Sequence, residues 1–226
     1  MSCDLEPASP GRVYRLGRRP DPWAYPDWAS AGEDGTFGNR FDDPQSSYRV
    51  LYACSQRLGA FVEVLARFRP DPAVVAGLAE IEGDDVHEGL PPGCIPRSWI
   101  EARSIGEGVL EGAYADIGHS RSLGYLREAL AARVVHHQLE DLDAATIRLR
   151  VPRRFTQEVS RFVYECSDER GGRQFDGIRY GSRLGDEFEN WAIFEPAQPT
   201  NASAHPVGPE DPDLRAALER LRIRFA

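Results

Sequence analysis

Lysine is absent from the 226-residue sequence, and all 27 basic side chains are arginine. That absence removes the P-loop lysine, the Schiff-base lysine and the Ser–Lys dyad from consideration. Any phosphate the chain grips must be held by arginine, backbone N–H groups or hydroxyls. Long apolar runs are also missing. Stretches such as Val50–Cys54 fall far short of the roughly 20 residues a helical span requires. The net charge of −9 and a pI near 5.1 leave no general basic surface for non-specific nucleic-acid binding. No HExxH, carboxylate-rich metal loop or CxxC pair occurs, so no metal centre is expected. Cys3, Cys54, Cys94 and Cys166 are widely separated and are expected to be reduced, buried thiols rather than a disulfide framework. The polar, acidic start MSCDLEPASPGR lacks the basic-then-apolar pattern of a signal peptide. The expectation is a soluble cytoplasmic protein without membrane contact.

Hydrophobic periodicity then organises the chain. A short strand is expected over 12–17, irregular Pro/Gly/Asp/Trp-rich structure over 20–47, and a strong strand over 48–54. Ser55 reads as the N-cap of a helix over 56–68, whose Leu58, Phe61, Leu65 and Phe68 recur at helical spacing and which Pro70 ends. Further strands are expected at 98–105 and 145–150, with a long amphipathic helix over 121–140 between them and a helix over 156–167 after them. Strands at 177–182 and 190–195 close the body, taken as residues 1–196. Residues 197–226 read as an appendage, a Pro-rich linker to 209 followed by a helix that Asp211 caps and Pro212 opens. Without regular βαβ alternation the class is α+β, a mixed sheet core with flanking helices and a C-terminal appended helix.

Four side chains stand out. Arg40, in Gly-Thr-Phe-Gly-Asn-Arg-Phe-Asp, lies where glycines at 35 and 38 allow close backbone approach to an anion. Glu63 is a lone carboxylate on an apolar helix, with Gly59, Ala60 and Ala66 beside it, so it is paired, solvated or put to use. Tyr52 ends the strand before that helix, and Ser182 sits where a strand gives way to a loop. Each has an ordinary structural reading: a surface arginine, a salt-bridged glutamate, a core tyrosine, a turn serine. His119 and His136 are the candidates for an unrelated hydrolase.

As a set, these residues resemble the RES-domain family, named for an arginine, a glutamate and a serine. The resemblance runs through VYRLG (13–17), GTFGNRFDDP (35–44), YRVLYACSQRLGAFVEVLA (48–66), RRFTQEVSRFVYE (153–165) and FDGIRYGSRLGDEFENWAIFE (175–195). It makes Arg40, Glu63 and Ser182 the family's three residues, Tyr52 its active-site tyrosine and Arg15 a second ligand-binding arginine. Asp42 departs from the pattern, since many members carry an amide there, and it puts a charge near a site meant for an anion.

The resemblance implies an ADP-ribosyltransferase-like fold. It also implies a protein that takes NAD as substrate rather than cofactor and cleaves the nicotinamide–ribose bond as a glycohydrolase or phosphorylase. Arg15, Arg40, Tyr52 and Ser182 would bind NAD, and Arg40, Tyr52, Glu63 and Ser182 would carry the chemistry. Transfer of ADP-ribose to a protein, or a catalytically inactive nucleotide- or partner-binding relative, are the alternatives. Many such proteins are toxins silenced by a separately encoded antitoxin of the Xre type, which would be the partner. A homo-oligomer stays open.

Overall fold

The strand signals at 12–17 and 48–54 become β2 (Arg12–Arg18) and β3 (Val50–Cys54), neighbours in one large sheet of the computed structural model. The structure describes residues 2–73, 90–149 and 151–226. The remaining strands of this sheet are β1 (Pro7–Ala8), β5 (Arg103–Val109), β6 (Tyr114–Asp116), β7 (Gly177–Gly181), β8 (Glu189–Phe194) and β9 (Thr200–Pro206). The eight strands run β1-β6-β7-β8-β3-β2-β5-β9, with β6 and β7 parallel and the other pairs antiparallel. A separate parallel pair joins β4 (Cys94–Ile95) to β10 (Arg224–Phe225). The class is α+β, a large mixed sheet with flanking helices.

Strand periodicity explains how the sheet is covered on both faces. Leu51 and Ala53 of β3, with Trp191 and Ile193 of β8, enter a cluster around Trp23 and Tyr114. Val50, Ala192 and Phe194 enter the opposite cluster. That cluster is roofed by α3 (Ser120–Ala129), α4 (Ala131–His136), α5 (Ala144–Arg148) and α6 (Arg153–Glu165) through Leu126, Val134, Ile147, Phe155 and Val159. Helix α1 (Arg57–Leu65) packs with the C-terminal helix α7 (Pro212–Leu221) in a third cluster; the short helix α2 (Arg97–Glu101) contributes Ile100.

Several expectations are corrected. Ser55 does not cap α1: its hydroxyl donates to Glu189 Oε2 (2.6 Å) and accepts from Trp191 Nε1 (2.8 Å), and the cap position falls to Gln56. The segment expected as a strand over 98–105 begins with α2, and only from Arg103 does it join the sheet. Residues 145–148 of the stretch expected as a strand fall in α5, because the Asp143 carboxylate accepts from Thr146 N and closes a helical turn; residue 150 lies outside the described residues. The long helix breaks at Leu130 into α3 and α4, yet Leu126, Leu130 and Val134 remain a buried stripe across the break.

The C-terminal segment is not a linker with an appendage. Thr200–Pro206 pairs with β5 as the edge strand β9, and α7 buries Leu214 and Ala217 against α1.

The cysteines also differ from expectation. Cys54 and Cys94 are free and buried, but Cys3 and Cys166 are joined by a disulfide across 163 residues of sequence. Antiparallel pairing of β1 with β6, and the bonds from Cys3 N to Gln174 Oε1 and from Gln174 Nε2 to Cys3 O (both 2.9 Å), bring the N-terminus to the end of α6. A link closing so long a loop typically contributes about 2–5 kcal/mol. Cys166→Ser is therefore expected to lower the melting temperature of oxidised protein. Under reductant wild type and variant should melt nearly together, which differential scanning fluorimetry in both conditions checks.

Candidate active site

Glu63 reaches the sheet because α1 lies close against it. A Cβ on Gly59, one turn before Glu63, would stand 2.3 Å from Cys54 Sγ and 3.0 Å from the Phe188 ring, so only glycine permits this approach. The Glu63 Oε1 atom accepts from Ser182 Oγ (2.5 Å) and from Asn190 Nδ2 (2.7 Å). Both donors come from the β7–β8 hairpin, in which Tyr180 and Asn190 are register partners. Ser182 and Asn190 are almost fully buried. The Ser182 hydroxyl also accepts from Leu184 N (2.9 Å), which fixes its rotor and aims its proton at Glu63. Both donors address one oxygen and leave Oε2 to a ligand.

Arg40 stands on a loop fastened to α6. Gln157 Nε2 donates to the Phe37 and Asn39 carbonyls (3.2 and 3.1 Å), Ser160 Oγ donates to Phe41 O (2.6 Å), and Arg153 donates to Gly38 O. The Arg40 guanidinium lies 5.8 Å from the Tyr180 ring centroid and donates to Arg148 O at 3.4 Å. Tyr52 ties the same loop to β3: its hydroxyl donates to Asp42 Oδ1 (2.8 Å) and accepts from Phe41 N (2.9 Å). Burial, followed by the Asp42 charge, holds the Tyr52 phenol well above its ordinary range, so it acts as a neutral group.

Asp42 itself is 2% exposed and also accepts from Asn39 N (2.6 Å). Burial raises its carboxyl above the usual value against the opposing pull of these hydrogen bonds. The expected charge near the anion site is instead turned into the loop, where it fastens Tyr52. Asp42 does not line the cleft.

Arg15 donates through Nε to Pro22 O (2.7 Å) and through Nη1 to Tyr52 O (2.8 Å), and burial lowers its pKa to about 10. With Arg40, Tyr52 and Glu63 it borders one cleft of about 980 Å³. The lining holds eight arginines against two carboxylates, Glu63 and Asp71, in a chain of net charge −9. Six of these, Arg15, Arg18, Arg40, Arg67, Arg103 and Arg153, make no ion pair with a carboxylate among the described residues. Arginines elsewhere, such as Arg49, Arg57 and Arg179, pair with acids. Concentrated, un-neutralised arginine is what an anionic ligand needs.

Of Arg15, Arg40, Tyr52, Glu63 and Ser182, Ser182 alone does not line this cleft; it stands behind Glu63. The histidines lie elsewhere. His119 caps α3 by accepting from Arg121 N, His137 pairs with Glu158 (3.1 Å), and neither they nor His136 line the cleft. Asn190, Gln157 and Tyr180 were not singled out from the sequence. A polar residue opening the otherwise apolar run Trp191–Phe194 was the available signal for Asn190.

Residues 12–89 match the family model described as RES domain. Among solved structures, the chain is similar to one titled "Crystal structure of the M.tuberculosis MbcT-MbcA toxin-antitoxin complex", with 16% identity, a TM-score of 0.44, and coverage of 96% of this chain and 91% of that one. No curated protein matches the sequence.

Proposed function

From the RES-domain match over residues 12–89, we propose that this chain is an enzyme that consumes NAD by cleaving its nicotinamide–ribose bond. The observation that carries the reading is Glu63. It is a carboxylate pinned through one oxygen by Ser182 and Asn190 and left with the other on the wall of an arginine-rich cleft. The bond's electron pair departs with nicotinamide, which leaves as a neutral molecule, and positive charge grows on the ribosyl ring carbon, as in glycoside cleavage. Oε2 of Glu63 accepts a ribose hydroxyl and stabilises that charge in a preorganised geometry. Arg15 and Arg40 hold the pyrophosphate, and the Tyr52 ring, its hydroxyl already committed, offers a flat wall to nicotinamide. Water adding to the ring carbon gives ADP-ribose and a proton; inorganic phosphate adding there gives ADP-ribose 1″-phosphate.

No helix among the described residues is long and apolar enough to cross a membrane, and the reading places the enzyme in the cytoplasm with its substrate. By the same resemblance it acts as a toxin held in check by a separately encoded antitoxin of the Xre type.

The direct test is nicotinamide release from NAD by purified protein, with and without phosphate and with a chelator present. Turnover is expected with chelator, and the product distinguishes water, phosphate and protein acceptors. Arg40→Lys keeps the charge but loses the two-pronged guanidinium, so KM for NAD is expected to rise about tenfold. An Arg40→Lys enzyme with unchanged KM would remove Arg40 from the binding site.

A further inference from the structure

The cleft carries more positive charge than the two phosphates of NAD require. Part of the excess is gathered at its solvent edge. Arg18 and Arg103 are direct cross-strand partners in the antiparallel β2–β5 pair, an arrangement that costs stability for like charges. Arg67 follows Glu63 by one helical turn. Arg103 feels both of the others: after burial, Arg18 and then Arg67 lower its pKa, to about 10. All three line the cleft.

Arg103 is also held rigid. Its guanidinium carbon stands 3.2 Å from the Trp99 ring centroid, its Nη1 donates to Trp99 O (2.5 Å), and Phe68 packs edge-on against the same ring at 5.0 Å. Nε and Nη2 have no protein acceptor among the described residues. A guanidinium stacked on an aromatic, with donors left over and two like charges beside it, is preorganised for an anion.

We propose that Arg18, Arg67 and Arg103 form a second anion subsite that takes a phosphate monoester on the adenosine end of the dinucleotide, so that the cleft accepts substrates of the NADP type. This rests on the dinucleotide reading of the cleft. The placement fits it. Arg67, in the 3-10 turn Ala66–Phe68 that continues α1, lies roughly 6–7 Å along the helical run from Glu63 at a rise of about 1.5–2 Å per residue. Arg18 lies about 10 Å along β2 from Arg15 at about 3.3 Å per residue. The subsite is thus displaced from the reacting ribose toward the far end of an extended dinucleotide. A third phosphate there relieves the repulsion among the three arginines, an interaction that NAD does not provide.

Calorimetry at low salt on the full chain tests this, using 5′-AMP, adenosine 2′,5′-bisphosphate, ADP-ribose and inorganic phosphate as probes. The bisphosphate is expected to bind on the order of tenfold or more tighter than 5′-AMP, the value of one charge-assisted contact. In an Arg18→Gln/Arg67→Gln double variant, both sites exposed, that ratio should fall to near one. A ratio near one in the wild type, or a preference that survives in the double variant, overturns the subsite. Inorganic phosphate that competes equally against both nucleotides would also overturn it, in favour of a site for free anions. If ADP-ribose binds and NAD is consumed while the bisphosphate shows no preference, the subsite falls and the proposed function stands. If ADP-ribose does not bind and NAD is untouched, that function falls, while the ratio of the two nucleotides still reads the subsite on its own.

Discussion

Glu63→Gln should lower kcat for NAD cleavage on the order of 100- to 1000-fold, the roughly 3–4 kcal/mol that one preorganised electrostatic contact in a dry site supplies. The substitution suits the question because of how Glu63 is held. Ser182 Oγ and Asn190 Nδ2 both donate to Oε1, and an amide oxygen can accept both bonds in the same place. The local fold is therefore retained, and what changes is the other atom: Oε2, an anionic acceptor, becomes a neutral NH₂ donor. A neutral amide can still bond a ribose hydroxyl in the ground state but cannot match charge developing on the ring. The loss should fall on kcat, with KM for NAD changed by only a few-fold. Steady-state kinetics together with a melting curve decide the matter. A variant that melts early yet keeps near-wild-type kcat once folded would make Glu63 a structural residue and sink the catalytic assignment.

How much of this site could be read from residues alone depended on the kind of signal each carried. Arg40, Tyr52 and Glu63 announced themselves through a loop-strand-helix motif within 24 residues, and the structure brings all three to one cleft. Ser182 was visible as part of a motif, but its position behind Glu63 depends on a contact spanning 119 residues. The meaning of Asp42 was likewise hidden. A carboxylate in a Gly-rich loop reads as surface charge, and only the fold shows Asp42 buried with the Tyr52 hydroxyl donating to it.

The fold was legible where one face of an element is buried and the other is not. Strand β3, buried on both faces, was legible as a short apolar run, and helix α6 carries that one-sided burial near its expected bounds. Strand β9 does not: every residue of Thr200–Pro206 is exposed at the sheet edge. An edge strand without a buried face leaves only polar and proline signals, the same ones a linker gives. The disulfide was illegible for a different reason, since cysteine spacing says nothing about two residues brought together by the sheet.

The misread tail carries the second large expected effect: removing residues 197–226 should abolish the native fold rather than trim an appendage. Helix α7 places Leu214 and Ala217, both fully buried, in one cluster with Phe61 and Leu65 of α1. Arg57, at the first position of α1, is clasped by Asp211 (2.5 and 2.9 Å) and Asp213 (2.6 Å) at the start of α7. Leu214→Ala alone is expected to cost about 2–5 kcal/mol through lost burial and the cavity left behind. The truncation removes this whole apolar face and the β9 partner of β5 besides. Against a typical domain stability of about 5–15 kcal/mol, the point variant should melt markedly earlier and the truncation should be insoluble or lack a cooperative transition. Because α1 carries Glu63, loss of activity should track loss of folding: Leu214→Ala, held below its melting point, should keep a kcat within a few-fold of wild type. A soluble truncation that melts like the full chain would show instead that the sheet and α1 stand without their C-terminal cover.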